Sequence, residues 1–448
     1  MQKFIQLWLG QTASMIGSAM SAFALTIWIW ESTSQATALA LLMLFIQFPR
    51  ILLAPVAGIL VDRWNRKFLM AIGDAVSALL TLAILLLYIS QNLQIWHIYV
   101  AAAVNGIFDQ IQQLAYSAAI ATMMPEKHYS RASSLSFLAS YGASIIAPTL
   151  AGILYSAIGP GGIFAIDLAT FTIAIATLVS VKIPQPAIAP ALRSNIASNS
   201  QPTRPHLLQE LSFGFRYIIQ RPSLLALLAS VSLFWFAHDI GAALYSPMIL
   251  ARTGNDARIL GTILSAAGAG GVLGASLISI WGGPKRRIQG YLLGIAGAGL
   301  SKIVFGFGQA LFIWIPAQFC SSFNFPILGS SNEAIWLAKV PPEVQGRVFA
   351  TRAVIVQLAS AIGLSIAGPL ADRVFEPAMQ PGGFLAAIFG PIIGTGAGAG
   401  MALLYAISAL GLLLVAVGGY ACRLLRDIES IQIDRRTIEN NSSTELRR

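Results

Sequence analysis

The sequence predicts an all-α integral membrane protein with 12 transmembrane helices in two pseudo-symmetric six-helix bundles. Three observations predict this fold class. Hydrophobic residues make up 56% of the 448 residues and charged residues only 10%, whereas a soluble domain carries about 25% charged residues. Twelve apolar windows are long enough to cross a bilayer, which takes about 20 residues. A polar linker separates the first six windows from the last six.

Most of the apolar windows follow one another with short turns between them. The first is too long for the apolar core of a signal peptide, which has about 7–15 residues, so we expect it to remain as a helix. In chain order, spans 1 to 12 are predicted at 4–30, 36–60, 68–90, 95–122, 133–157, 161–181, 222–250, 258–281, 288–307, 309–338, 348–371 and 392–421.

The connection between spans 6 and 7 is rich in Pro, Ser and Asn, a composition typical of linkers. It ends in the amphipathic stretch HLLQELSFGFRYIIQRP, which we expect to lie on the membrane surface. The predicted organisation is an amino-terminal six-helix bundle, 1–182, a cytoplasmic linker with an amphipathic helix, 183–221, a carboxyl-terminal six-helix bundle, 222–422, and a cytoplasmic tail, 423–448.

The two halves also resemble each other. MPEKHYSRASSL before span 5 is similar to PPEVQGRVFATR before span 11, and PTLAGIL is similar to LSIAGPL at an offset of about 216 residues. Each similarity is weak alone, because helices rich in Ala and Gly match by chance. Two six-helix halves in parallel repeat are the pattern of transporters whose site lies at the repeat interface.

Basic residues set the predicted orientation. Eleven of them lie in the turns after spans 2, 4, 8 and 10, whereas the opposite turns hold three. By the positive-inside rule, both termini and the linker are predicted to lie in the cytoplasm. The membrane is expected to be the inner (plasma) membrane of the cell. The net charge of +10 is explained by these turns, so we expect no nucleic-acid partner. The eleven residues are Arg63, Arg66, Lys67, Lys127, Arg131, Lys285, Arg286, Arg287, Lys339, Arg347 and Arg352.

The turn after span 2 carries a dense charged motif, GILVDRWNRK. Gly58 lets span 2 approach a neighbour closely. Asp62 can cap the N-terminus of span 11, while Arg63, Arg66 and Lys67 can neutralise Asp62 and bind span 11 or lipid phosphate. The motif is therefore either a latch that breaks when the halves rock, or a set of positive-inside anchors alone.

This motif resembles the signature of the major facilitator superfamily, Gly-x-x-x-Asp-Arg/Lys-x-Gly-Arg-Arg/Lys. It departs at Asn65, where the family usually has Gly. Since Asn also tolerates a left-handed backbone, we expect the tight turn to survive. GASIIAPTLAGIL of span 5 resembles the Gly/Pro motif of exporters in this superfamily. QGRVFATR and FAIDLATF are similar to the macrolide-efflux and siderophore-exporter branch of drug:proton antiporters.

The resemblance implies a cavity lined by spans 1, 4, 7 and 10. All four spans carry polar side chains, and in spans 1 and 4 the spacing puts them on one helix face. For the Ser and Gln residues, packing between helices is an equally good interpretation, and a lone His is often a hydrogen-bonded core residue. The candidate cavity residues are Gln11, Ser14, Ser18, Asn105, Gln112, Trp235, His238 and Asn324.

Ionisable residues inside the membrane are costly, so they usually have a partner or a task. Asp109 and Arg50 lie at similar depth in spans 4 and 2. We expect them to form a proton-responsive pair that faces the cavity, or else a structural ion pair. Asp239 and Glu333 are the reserve proton carriers in the other half.

Three further charged residues lie within a few turns of span ends. For Asp74, Asp167 and Lys302 we expect capping, latching or snorkelling. The stretch GTGAGAG at the start of span 12 lacks the Lys-Ser/Thr of a phosphate loop, so we expect close helix packing there.

Together, the residues and the resemblance predict a secondary active transporter, a proton-coupled exporter of amphipathic small molecules (drug, macrolide or siderophore-like) that works by alternating access. Its expected partners are a small-molecule substrate, protons and the bilayer; we expect a monomer without cofactor or metal. The alternatives are a lipid or lysolipid flippase of the same fold and a non-transporting membrane sensor. We expect no enzyme and no ATP-driven pump, because the sequence has no His-Glu-x-x-His, Gly-x-Ser-x-Gly or Walker motif.

Overall fold

The computed structural model describes residues 2–123, 129–181 and 207–430. Within these ranges the chain is almost entirely helical and has no β-strand. The predicted all-α fold class is therefore confirmed.

Six helical segments form the amino-terminal half. The first four are α1 (Gln2–Thr33), α2 (Ala36–Arg63), α3 (Arg66–Ile89) and α4 (Ile95–Met123). The next helix, Tyr129–Ser180, is interrupted at Gly159, where φ is 66° and ψ is 179°. Glycine adopts this conformation readily, and Pro160 after it suits the first turn of a new helix. We call the two parts α5 (129–158) and α6 (160–180).

The rest of the described chain forms an amphipathic helix and the carboxyl-terminal half. The helices are α7 (Leu207–Ile219), α8 (Pro222–Arg252), α9 (Ala257–Trp281), α10 (Arg287–Phe307), α11 (Leu311–Lys339), α12 (Pro342–Leu370), α13 (Ala386–Ile393), α14 (Ala399–Ala421) and α15 (Arg423–Arg426). A π-helical turn, Ala371–Phe375, and the turn Glu376–Ala378 continue α12. Spans 7 to 12 correspond to α8 through α12 and α14.

Nine helices in the described part of the chain are long and apolar enough to cross a membrane. The continuous α5–α6 unit counts as one of the nine, and α2 and α4 are not among them. The protein is therefore an integral membrane protein, while the count of twelve spans stays a prediction.

The two halves pack their helices in the same pattern. In the amino half, α1 packs on the α5–α6 unit, α2 on α4, and α3 on both α4 and α5–α6. In the carboxyl half, α8 packs on α12 and α14, α9 on α11, and α10 on both α11 and α14. Each contact thus recurs six spans later. The interface follows the same symmetry, because α5 packs on α9 and α2 packs on α12.

Hydrogen bonds join the two halves at one end of the bundle. We call the end with the α2–α3 turn and α7 the linker end, and the opposite one the far end. At the far end Trp30 Nε1 donates to Asn255 Oδ1 at 2.9 Å. Asp372, just after α12, accepts from the backbone N–H groups of Ala36 at 3.0 Å and Thr37 at 2.8 Å. Asp372 therefore caps α2 across the interface and helps to close the far end.

Glycines bring α5 and α9 into close contact in the same region. A Cβ atom added at Gly152 would lie 2.7 Å from the carbonyl oxygen of Ala257. Gly261 of α9 is packed in the same way against the carbonyl of Pro148. The PTLAGIL stretch therefore forms part of the interface between the halves, where larger side chains would push α9 away.

Two connections differ from expectation in detail. The expected tight turn is present, since α2 ends at Arg63 and α3 begins at Arg66, but it does not use a left-handed backbone. Asn65 has an extended backbone, with φ −63° and ψ 118°; its side chain caps α3 by accepting from the Phe68 N–H at 3.2 Å, a role that suits Asn. Arg347 and Arg352 lie inside α12 rather than in a turn, because α12 already begins at Pro342, a residue that favours the first helical turn.

The glycine-rich stretch before α14 also differs from expectation. Gly394, Gly396 and Gly398 have φ values of 86°, 93° and 78°. This backbone strongly favours glycine, so residues 394–398 form a loop and α14 begins only at Ala399. The expected close packing is found at Gly400, where a side chain would clash with the backbone of Phe375 and Glu376. Glu376 fixes the end of the loop by accepting from the Gly398 N–H at 3.2 Å and the Met401 N–H at 2.8 Å.

The amphipathic helix α7 packs against α12 and α8 at the linker end. Its Tyr217 and Ile218 side chains are buried, whereas Phe215 is exposed. The guanidinium of Arg347 lies 5.0 Å from the centroid of the Phe213 ring. This helix thus ties the described end of the linker to the carboxyl half.

Candidate functional site

A cavity with two compartments lies in the amino half and reaches the interface with α8. The linker-end compartment measures about 400 Å³, and the deep compartment, nearer the far end, measures about 260 Å³. Ser18, Ser77, Asn105 and Phe171 line both compartments, which are therefore adjacent parts of one cavity.

The two compartments differ in chemistry. The linker-end compartment is lined largely by amide, hydroxyl and carboxylate side chains of α1, α3, α4 and α5. The deep compartment has mostly Leu, Ile, Met and Ala walls, and Ala243, Ser246 and Pro247 of α8 close it from the other half. The cavity is therefore amphipathic along its length, and both halves contribute to it.

Five of the eight predicted cavity residues line the linker-end compartment. They are Gln11, Ser14, Ser18, Asn105 and Gln112. Their spacing on α1 and α4 turns them to the same side of each helix. Asn105 is also tied to α3, since its Oδ1 accepts from Ser77 Oγ at 2.6 Å.

Arg50 and Asp109 form an ion pair at this compartment. Arg50 Nη1 lies 3.6 Å from Asp109 Oδ2, and the two side chains are 34% and 42% exposed. Gln110 and Gln113 hold the guanidinium by accepting from Nε at 2.6 Å and from Nη2 at 3.0 Å. Gln113 Nε2 also donates to Asp109 Oδ2 at 3.1 Å. Because the pair is long and partly open, Asp109 is accessible to a proton or a solute.

Asp74 is a second acid in this compartment, and the expectation that it caps or latches a helix end was wrong. Its residue is 0% exposed. The carboxylate accepts from Gln112 Nε2 at 2.6 Å and from Gln11 Nε2 at 2.9 Å. It therefore joins α1, α3 and α4 inside the bundle, with all of these partners electrically neutral.

Asp167 is a third buried acid, and the same expectation was wrong for it. The residue is 1% exposed and lines the deep compartment. Ser18 Oγ and Thr81 Oγ1 each lie 3.3 Å from one of its oxygens. The carboxylate is thus turned into the bundle, away from the membrane surface.

The carboxyl half has a separate cavity of about 460 Å³. Its polar lining comes from α8, α10 and α11, and Tyr141 of α5 completes it from the other half. Lys302 lines this cavity and is 6% exposed, so the expected snorkelling was wrong. Its Nζ lies 5.3 Å from the centroid of the Tyr405 ring, inside the bundle.

His238 lies among aromatic rings at this cavity. Ring centroids of Phe325, Trp235 and Phe234 are 5.0, 5.3 and 5.7 Å from that of His238. Trp235 itself is not among the residues that line the described cavities. It instead forms part of the aromatic surroundings of His238.

Asn324 faces a neighbouring helix rather than a cavity. Its Nδ2 donates to the Cys320 carbonyl at 2.8 Å. A Cβ atom added at Gly297 of α10 would lie 2.6 Å from Asn324 Oδ1. In this conformation Asn324 therefore serves the packing of α11 on α10, the alternative considered for polar residues of this kind.

The two reserve acids also lie outside the described cavities. Asp239 is 7% exposed and accepts a hydrogen bond from Ser360 of α12. Glu333 Oε2 lies 2.6 Å from Arg352 Nη2, and the guanidinium of Arg352 packs over the Trp336 ring at 5.2 Å. Each acid thus connects α12 to another helix of the carboxyl half.

The charged motif after α2 is described only in part. Arg66 Nη1 donates to the Ala118 carbonyl at 2.7 Å. Lys67 Nζ donates to the carbonyls of Val179 and Val181 at 2.8 and 2.7 Å. These partners are at the ends of α4 and α6, whereas we expected span 11 or lipid phosphate. The side chains of Asp62 and Arg63, which are predicted to act with them, and the surroundings of Gly58 lie outside the described part of the structure.

The described residues contain no cluster of His, Cys, Asp and Glu that could hold a metal ion. The candidate site consists of acids around an amphipathic cavity in the amino half and a buried lysine at the cavity of the carboxyl half.

Relatives with similar sequences are membrane transporters. The chain is 27% identical over 375 residues to macrolide efflux protein A of Streptococcus pyogenes, with 83% of this chain and 90% of the relative covered. It is 26% identical to the uncharacterized MFS-type transporter YfiS of Bacillus subtilis (strain 168), with 81% and 85% covered.

Solved structures share the fold at low sequence identity. A bacterial homologue of the iron transporter ferroportin in an inward-facing state matches with a TM-score of 0.66 at 14% identity, covering 96% of this chain and 99% of that one. A bacterial homologue of the human lysosomal transporter Spinster, also inward-facing, matches with a TM-score of 0.63 at 15% identity and 95% coverage of both chains.

The family model described as Major Facilitator Superfamily matches residues 7–364. This match covers both halves, in agreement with the repeated helix packing and with the motif between α2 and α3. The chain therefore belongs to the major facilitator superfamily and is a membrane transporter rather than an enzyme.

Proposed function

We propose that the chain is a proton-coupled exporter of amphipathic small molecules, such as drugs, macrolides or siderophore-like compounds, and that it works by alternating access. The shape of the amino-half cavity supports an amphipathic substrate, because its polar compartment adjoins an apolar one. The direction of transport is supported by the similarity to macrolide efflux protein A.

The observation that carries the proton coupling is the Arg50–Asp109 pair at the linker-end compartment. An acid that exchanges protons must be reachable from the aqueous side and must change its environment when the halves rock. Asp109 meets the first requirement, since its side chain is 42% exposed beside a long 3.6 Å ion pair. Displacement of Arg50 by rocking or by substrate would then change the proton affinity of Asp109. Asp239 and Glu333 remain the reserve carriers.

The topology belongs to the same proposal. Both termini and the linker lie in the cytoplasm, and the chain works as a monomer divided at 1–182, 183–221, 222–422 and 423–448. The linker end is then the cytoplasmic end. Because the contacts described between the halves close the far end, the cavity is open to the cytoplasm and ready to receive a substrate for export.

The latch at GILVDRWNRK also stays a proposal. Gly58, Asp62, Arg63, Arg66 and Lys67 would hold the cytoplasmic side shut in the outward-facing state. Helix directions support it: α2 and α12 run antiparallel, since Thr37 near the start of α2 contacts Gly368 near the end of α12. The end of α2 that carries Asp62 is thus directed towards the start of α12.

A transport assay on purified protein in liposomes tests the function. The panel is a macrolide, a hydroxamate siderophore, a lipophilic dye and a fluorescent lysolipid, each measured with and without an imposed proton gradient. We expect at least one of the first three to accumulate only when the gradient is present, and a protonophore to abolish the accumulation. Protein-free liposomes are the control. Equal movement with and without the gradient would contradict proton coupling.

One observation favours the flippase alternative. An apolar groove of about 450 Å³ lies between α2, α4 and α12 and is lined by Phe45, Phe48, Leu358 and Ile362. These side chains are 38–55% exposed, so the groove faces sideways towards lipid tails. If the protein is a flippase, the lysolipid alone will change leaflets, measured by quenching with a membrane-impermeant reductant.

A further inference from the structure

We propose that the cavity in the carboxyl half binds an anionic oxygen group of an organic acid, with Lys302 as the residue that recognises it. If the ligand is the exported molecule, the inference rests on the proposed function and narrows the substrate class to amphiphiles with an acidic group. As a statement about binding, it can be tested without transport.

The Lys302 side chain is buried and has no described anionic partner. The residue is 6% exposed and lies inside the membrane-spanning part of α10. None of the ion pairs or hydrogen bonds described for the chain involves its amino group. Its described neighbour is the face of the Tyr405 ring, 5.3 Å from Nζ. A buried ammonium usually has a partner, so three donor positions remain available here.

Asp239 does not occupy this position. It does not lie within ion-pair distance of Lys302, and its Oδ2 is engaged by Ser360 of α12. The ammonium therefore has no described anion in contact. A ligand oxygen in the cavity would supply the contact.

Several buried polar atoms around the same cavity have no hydrogen-bond partner. Gln318 Oε1, Ser321 Oγ and His238 Nδ1 are all buried and have no hydrogen-bond partner, and all three residues line the cavity. Buried polar groups are seldom left unpaired. Four unsatisfied polar groups from α8, α10 and α11 at one cavity, with Lys302 included, indicate a ligand with several polar atoms.

Proline adds another polar atom to this lining. Pro326 has no N–H, so the carbonyl of Ser322 one turn earlier in α11 loses its helical donor. Ser322 and Pro326 both line the cavity. A carbonyl and Gln318 Oε1 accept hydrogen bonds, whereas Lys302 only donates, so the best ligand combines an anionic oxygen with a hydroxyl or N–H group.

The remaining walls suit a flat ring. Phe325 lines the cavity beside His238, and the ring centroids are 5.0 Å apart. With a volume of about 460 Å³, the cavity has room for an aromatic acid. Its position also suits transport, because Tyr141 of α5 closes it from the amino half and would move when the halves rock.

The probe pair is 6-hydroxy-2-naphthoate and 6-hydroxy-2-naphthamide, called the naphthoate and the amide below, which share the ring and the hydroxyl donor and differ in charge. Binding is measured by calorimetry on the purified full-length protein. We expect the wild type to bind the naphthoate at least about tenfold more tightly than the amide, since a hydrogen bond to a charged group contributes about 1.5–3 kcal/mol. Lys302→Gln should weaken naphthoate binding about 10- to 100-fold and leave the amide unchanged, whereas Lys302→Arg should retain the preference.

The matched control is Lys285→Gln, which removes an exposed lysine outside the cavity and should bind like the wild type. Equal affinity of the wild type for the two probes, or no naphthoate binding, overturns the inference even if the variants do not fold. Displacement of the naphthoate by chloride at equal concentration overturns the assignment to an organic acid. Proton-driven export without naphthoate binding would overturn this inference and leave the proposed function standing. Naphthoate binding without any export would overturn the proposed function and leave this inference standing.

Discussion

The two halves share a helix arrangement, but the charged side chains that line their cavities differ in sign. In the amino half, Asp74, Asp109 and Asp167 line one amphipathic cavity. In the carboxyl half, the described lining of the cavity includes Lys302 and no acid, and Asp239 of α8 is turned to Ser360. The two halves therefore have in common the packing of their helices and not the chemistry of their cavities. Function therefore depends on side chains placed on a common frame.

The acids and the lysine are also satisfied in different ways. Asp74 and Asp167 accept hydrogen bonds from amide and hydroxyl groups, whereas the Lys302 amino group faces a ring and a cavity. A fully bonded group stabilises its surroundings, while an unbonded one is available to a ligand. The comparison thus separates residues that hold the structure from residues that can bind.

The largest expected effect comes from Asp109→Asn. This variant keeps the shape and loses the charge, so gradient-driven export should fall to the level of protein-free liposomes, while downhill exchange continues. The reason is that the amide cannot carry a proton through the cycle. The measurement is substrate accumulation with and without the proton gradient.

Asp427→Asn is the matched control for that variant. Asp427 is an exposed acid that pairs with Arg426 at 3.4 Å, and export should not change when its charge is removed. If Asp109→Asn still exports with the same proton dependence, Asp109 is only a structural partner of Arg50. The coupling acid must then be sought at Asp239 or Glu333.

The second prediction compares stability between the halves. Asp74→Leu leaves the Gln11 and Gln112 amides without their acceptor, so the free energy of unfolding should fall by about 1–3 kcal/mol. Lys302→Met removes a buried charge without breaking a described hydrogen bond, so stability should stay the same or rise. Thermal melts of the purified variants in one detergent give both values. Similar losses in the two variants would mean that Lys302 is as firmly bonded as Asp74.

Much of the fold could be predicted from the apolar windows alone. Span 4, predicted at 95–122, is the helix Ile95–Met123. Span 12 was predicted to begin seven residues too early, because α13 and the loop after it are apolar and uncharged like a spanning helix. Composition alone cannot distinguish a glycine-rich apolar loop from the start of a helix, because the difference lies in the φ values of the glycines.

The site was predicted less completely. Arg50 and Asp109 could be paired because equal depth in neighbouring spans brings two charges together. Asp74 was assigned to a helix end although it lies eight residues into α3, about 12 Å along the axis at 1.5 Å per residue. The sequence position of Asp74 within the predicted span therefore indicated that this residue lies deep in the bundle. Which way Lys302 points is set by the packing of α10 on α14, and a single sequence does not contain that information.

The smallest expected effect concerns the far end, where the unlike halves meet. Asp372 of the carboxyl half caps the first turn of α2 through the Ala36 and Thr37 N–H groups, and it also accepts from Thr37 Oγ1 at 2.6 Å. Asp372→Ala removes a helix cap worth about 0.5–2 kcal/mol. Since the cap exists only while the halves touch, its loss should shift the population towards outward-facing molecules by about 2- to 30-fold.

The measurement is labelling of a single cysteine in the deep compartment. Leu25 lines that compartment on α1, so Leu25→Cys is placed in a chain whose own Cys320 and Cys422 are replaced by Ala. A membrane-impermeant maleimide added from outside should react faster in the Asp372→Ala variant. Glu429→Ala is the control, because Glu429 caps α10 at the linker end, within the carboxyl half, through the Arg287 and Ile288 N–H groups at 3.2 Å. Faster labelling in both variants, or in neither, would mean that Asp372 stabilises a helix end without holding the halves together.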